Sequence, residues 1–109
     1  LVANDLTMIT KIPVKYLSSC YIQDMQNGGY SSTDKDLNKK LIAALIKDLN
    51  NVKKIKKDEY DYSIDINYTD SGENYNYRNG TEISVNIYSE YKNTLKVLND
   101  SGVLAKLEE

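Results

Sequence analysis

Between Tyr60 and Tyr68 the chain alternates without a break. Tyr60, Tyr62, Ile64, Ile66 and Tyr68 fall on one side, and Asp61, Ser63, Asp65 and Asn67 on the other. A period of two places every second side chain on the same face of a pleated strand, so this stretch reads as a strand with one buried and one wet face. Thr81–Tyr88 repeats the pattern, with Ile83, Val85 and Ile87 against Glu82, Ser84 and Asn86. Two half-polar strands this close in sequence are expected to pair antiparallel. The rest of the chain must then supply a cover for the Tyr/Ile/Val face.

Much of that cover is legible. Pro13 disfavours helix at Ile12, and Leu6–Lys11 reads as a short extended piece. Leu17–Asp24 reads as a strand, since Tyr21 and Ile22 suit the pleat. Gln26-Asn27-Gly28-Gly29 is a loop signal. A helix opens at Thr33-Asp34-Lys35-Asp36, with Thr33 as the expected cap and the aspartates near the positive end of the helix dipole. Its apolar stripe is Leu37, Leu41, Leu45, Leu49 and Val52, widened by Ile42, Ala44 and Ile46. Asn38, Lys39, Lys40, Lys47 and Asn50 are placed on the opposite face, and the helix is expected to end near Asn50–Lys54. Asp70-Ser71-Gly72 and Asn79-Gly80 are turn signals between the two polar strands. Ser89 is the expected cap of a second helix, Glu90 to Asp100, with Tyr91, Leu95 and Leu98 inward. Gly102 stands where a left-handed residue closes a helix, and Val103, Leu104 and Leu107 are left to pack beneath the fold. The order strand, helix, strand, strand, helix predicts an α+β domain: a small antiparallel sheet with helices packed on one face.

At 109 residues the chain is read as a single domain, 1–109. Ten tyrosines stand in for the absent Trp and Phe, so several phenol hydroxyls need water or a partner. Fourteen basic residues are mixed with sixteen acidic ones, which leaves no basic footprint for nucleic acid. With no histidine and one cysteine, Cys20, neither an intrachain disulfide nor an ordinary zinc site can be assembled. Cys20 is read as a small buried apolar residue. No apolar run is long enough to span a membrane. The chain opens at Leu1, and the expectation is a piece excised from a larger protein.

Asp61 and Asp65 share a wet face with Ser63 and Asn67. Their spacing does not match a calcium loop, and a glycosidase pair would need a cleft and an apolar setting for one carboxyl. They read as a solvated face. No Gly-rich phosphate loop or nucleophile elbow occurs, so no catalytic, cofactor or metal residue is assigned. Sequons at Asn67, Asn79 and Asn99 are what an Asn-rich chain produces by chance. Two groups remain. Tyr30, Tyr75 and Tyr77 stand in loop contexts, within Asn27–Ser32 and Gly72–Gly80, and are the candidates for partner contact. Lys53, Lys54, Lys56 and Lys57 form either a solvated helix end or a patch for an anionic membrane surface.

Three segments carry a resemblance. Asn4-Asp5-Leu6-Thr7 leads through Lys11-Ile12-Pro13 to the Tyr21-Ile22 strand. A helix led by Thr33-Asp34-Lys35-Asp36 follows. A polar strand pair with Asn79-Gly80 in its turn then runs into Tyr88-Ser89-Glu90-Tyr91-Lys92-Asn93-Thr94-Leu95. Together they resemble the extracytoplasmic domain inserted between membrane helices in ABC transporter permease subunits of low-GC Gram-positive bacteria. That resemblance implies a non-enzymatic domain without cofactors on the outer side of the cell membrane. Its partners would be the transmembrane portion of the same protein, a separate cytoplasmic ATP-binding subunit, and a peptide or the membrane surface. A secreted or lipid-anchored binding module is the first alternative, and a small cytoplasmic interaction domain the second.

Overall fold

A computed structural model describes residues 17–26, 28–68 and 81–107. The elements in chain order are β1 (Leu17–Asp24), β2 (Gly28–Ser32), α1 (Lys35–Asn51), β3 (Tyr62–Tyr68), β4 (Thr81–Ile87), α2 (Lys92–Asp100) and α3 (Val103–Leu107). The strands form one antiparallel sheet in the order β2-β1-β3-β4, and the fold is a small α+β domain. The expected β3–β4 pairing is present, with Ile64 opposite Val85 and Ile66 opposite Ile83.

The sequence left out one strand. Within the loop expected at Asn27–Ser32, Gly28–Ser32 forms a hairpin with β1, pairing Cys20 with Ser32 and Ile22 with Tyr30. Gly28 supplies the turn with a φ of 104°, and the Asp24 carboxylate accepts from the Gln26 amide at 2.8 Å. Two glycines in five residues mask strand character, and pairing with β1 overrides that local preference.

The buried apolar strand residues join one core. Cys20, Ile22, Ile64, Ile66, Tyr68, Ile83, Val85 and Ile87 pack with Leu41, Ile42 and Leu45 of α1, Leu98 of α2, and Val103 and Leu107 of α3. The helices therefore cover one face of the sheet. Cys20 is fully buried, and loss of hydration pushes its thiol up to about 12.

The ends of the helices depart from the sequence reading. Asp34, not Thr33, caps α1: its carboxylate accepts from the amides of Asp36 and Leu37. Asn38, expected on the wet face, is buried, and its side-chain amide donates to the Ser32 carbonyl at 3.0 Å. α2 begins at Lys92 rather than Glu90, and Ser89 bonds to the Glu90 carboxylate instead of capping it. The cap comes from α1. One Asp48 oxygen accepts from the Asn93 backbone and side-chain amides at 3.2 and 2.8 Å. The other accepts from the Thr94 amide and hydroxyl, both at 2.7 Å. Asp48 is only 2% exposed, so its charge is compensated by these donors rather than by water.

Gly102 closes α2 as expected, with φ 82°, and hands the chain to α3. Gly102→Ala meets no steric obstacle, since an added Cβ would have nothing within 4 Å. It is nevertheless expected to cost about 1 kcal/mol through the left-handed backbone, read as a lower urea midpoint at unchanged slope.

Candidate functional site

Because the helices occupy one face, alternation turns the other face of the sheet outward. Strand register arranges it in rows. Ser31, Tyr21, Asp65 and Ser84 lie side by side across all four strands, as do Gly29, Gln23, Ser63 and Asn86. Ser19, Asn67 and Glu82 form a third row over three strands. Tyr21, Gln23, Ser31, Glu82 and Ser84 are exposed, Ser19, Asp65, Asn67 and Asn86 are half-buried, and Ser63, expected on the wet face, is buried at 7%. Among the described residues, these rows carry the carboxylates of Asp65 and Glu82 and no lysine or arginine.

Local contacts stiffen this surface. The Tyr21 ring lies across Gly29 so closely that an added Cβ would fall 2.0 Å from its hydroxyl oxygen. Glycine at that position lets an aromatic side chain lie down on the neighbouring strand, which leaves Tyr21 36% exposed. The Ser84 hydroxyl donates to Asp65 at 2.6 Å, and the Asn67 amide donates to Ser19 at 3.3 Å. The result is an ordered polar surface with one aromatic platform.

The sequence candidates are scattered. Tyr30 is not in a loop: β2 places it opposite Ile22, on the core side, half-buried. Lys106 of α3 donates to its hydroxyl at 3.2 Å and stands 4.7 Å from its ring centre, which ties α3 to the sheet edge. Tyr75 and Tyr77, and the Leu6–Lys11 piece, lie outside the described residues. Lys53, Lys54, Lys56 and Lys57 are all exposed in the connection between α1 and β3. That connection is pinned where the Lys56 amide donates to the Glu90 carboxylate at 3.0 Å, a bond that lowers the pKa of Glu90. It is also held by stacked tyrosines: Tyr88 meets Tyr60 and Tyr91 edge-to-face at 5.8 and 5.7 Å.

Asp48 and the flat setting of Tyr21 were not foreseen. The signal for Asp48 was present, because Asn38, Leu41, Leu45, Asp48 and Val52 share one helical stripe. A carboxylate on an apolar stripe needs donors from another element.

A cleft of about 370 Å³ lies where the N-terminus of α1 meets the C-terminus of α2, lined by Asp34, Asp36, Lys40 and Asp100 among others. Asp34 is engaged in capping and Asp100 pairs with Lys96 at 2.8 Å. Among the described residues no group of three or more metal-ligating side chains occurs, and no helix is long and apolar enough to cross a membrane. No family model, curated protein or solved structure matches the chain.

Proposed function

We propose that this chain is a non-catalytic, extracytoplasmic domain of an ABC transporter permease, which contacts a peptide or partner protein through the helix-free face of its sheet. The observation that carries the reading is that face: polar, exposed along Tyr21, Gln23, Ser31, Glu82 and Ser84, ordered by side-chain hydrogen bonds, and furnished with the Tyr21 platform. Flat polar sheet surfaces with an anchored aromatic suit recognition better than chemistry, which needs a concave, dry setting. The carboxylates support the same view. Asp48 is fully engaged in holding α2, and Asp65 is bonded to Ser84 on an open surface. The resemblance to permease ectodomains supplies the setting, with a cytoplasmic ATP-binding subunit as partner. The four exposed lysines at 53, 54, 56 and 57 suit a position near anionic headgroups.

A reporter inserted in the exposed turn at Met25–Gln26 of the intact protein is expected to read as extracytoplasmic, and the protein to co-purify with an ATP-binding subunit. A cytoplasmic signal overturns the proposal. An external signal without that subunit favours the lipid-anchored or secreted module instead. In the same setting, Lys53→Glu, Lys54→Glu, Lys56→Glu and Lys57→Glu together are expected to reduce sedimentation with anionic vesicles, with the largest difference at low salt.

A further inference from the structure

The two edges of the sheet are unlike. β2 is five residues long, begins with two glycines, and carries α3 against it through Tyr30 and Lys106. Short edges and covered edges are ordinary protection against unwanted strand pairing. Among the described residues β4 shows neither of these devices. It runs seven residues, Thr81–Ile87, without glycine, proline or lysine. Its register to β3 is unbroken from Tyr62–Ile87 to Tyr68–Thr81, so no bulge bends it away. The irregularity in the sheet lies elsewhere, on β1 between Leu17 and Ser19. Four of the seven residues are β-branched, and Ile83, Val85 and Ile87 are buried against the core. Among the described residues, no strand lies beyond β4.

We propose that β4 pairs with β4 of a second copy, antiparallel about a two-fold axis at Ser84, joining two sheets into one of eight strands. The strand is self-complementary in that register. Ser84 faces Ser84 of the second copy, Glu82 faces Asn86, Ile83 faces Val85 and Thr81 faces Ile87. This is the antiparallel self-register that engages the whole strand, and it keeps inward residues with inward ones. Glu82, the strand's one charge, never meets itself. The Asp65 carboxylates stand three strand spacings apart, roughly 14 Å, beyond a Debye length at physiological salt. An isologous two-fold contact is the commonest way a chain closes on itself. Ile83, Val85 and Ile87 are already buried within each copy, so main-chain pairing rather than apolar burial drives the contact. The dimer is accordingly reversible and concentration-dependent. The helix-free faces of the two copies become one continuous polar surface.

Cysteine trapping tests the register. Cys20 is fully buried and stays out of the reaction. Under mild oxidation Ser84→Cys is expected to form a disulfide-linked dimer at least tenfold faster than Ser31→Cys, which sits on the opposite edge strand. Glu82→Cys mixed with Asn86→Cys is expected to give the mixed dimer in preference to either self-dimer. In sedimentation equilibrium the unsubstituted chain is expected to show a monomer–dimer balance, and Ser84→Lys to raise the dissociation constant at least tenfold while its monomer keeps the native circular dichroism spectrum. A chain that remains monomeric into the millimolar range overturns the proposal, as does trapping at Ser31 as fast as at Ser84. A monomer whose β4 amides gain exchange protection only when an extended peptide is added also overturns it, by giving the edge a different occupant.

Discussion

Asp48→Ala is expected to remove about 3–4 kcal/mol of stability, more than any other exchange of a polar side chain among the described residues. Four hydrogen bonds converge on its two oxygens, and the partners include two backbone amides in the first turn of α2. Alanine would leave those donors facing a buried space without acceptors. Nothing local replaces them, because Tyr91 makes no side-chain cap and Ser89 is turned to Glu90. Asp48→Asn keeps one acceptor oxygen but sets an NH2 group against donors, so it is expected to retain no more than about half of that energy. Chemical denaturation gives the size of the effect. Amide exchange locates it: Asn93 and Thr94 should lose protection before the strands do. A cost below about 1 kcal/mol for Asp48→Ala would mean that α2 is held by packing alone.

Leu45→Ala is the second large effect, about 3 kcal/mol. Leu45 is 1% exposed at the centre of α1 and belongs to the same cluster as the inward residues of all the longer strands. Its removal takes away transfer energy and leaves a cavity that a sheet on one side and a helix on the other cannot close. Leu49, one turn later and only half-buried, provides the internal comparison. Its alanine variant is expected to cost about 1 kcal/mol, since part of that side chain is already in water. Equal costs at the two positions would contradict the placement of α1 on the sheet.

Strands β3 and β4 and the face of α1 could be read in advance because periodicity follows directly from backbone geometry. Ile64, Ile66, Ile83, Val85 and Ile87 are inward, and Leu41 and Leu45 meet them, as their spacing requires. What escaped depends on residues distant in sequence. β2 has too few side chains to alternate visibly, and β1 recruits it. The cap of α2 lies on a different helix. Asn38 was assigned to the wet face by its polarity, although its place on the stripe beside Leu41 and Leu45 argued otherwise. The polar set on the outer face was legible strand by strand. Its assembly into rows was not, because that required β1 to lie between β2 and β3. Tyr30 reads in sequence as an aromatic in a loop, and its strand placement removes that ground for partner contact.

The position of β1 also governs what happens while the chain is being made. Domains begin to fold as they emerge, and here the first pieces to emerge from the described residues are β1, β2 and α1. β2 and β3 both run antiparallel to β1, so they are parallel to each other, with α1 carrying the chain from one flank of β1 to the other. Until Tyr62–Tyr68 is synthesised, the β3 side of β1 is an open strand edge next to Ile22, Leu41 and Leu45. The nascent chain therefore carries a sticky half-sheet during the time it takes to translate the lysine-rich connection and β3. A break in that connection would yield two fragments, each with part of its apolar face uncovered, which must find each other to become the domain.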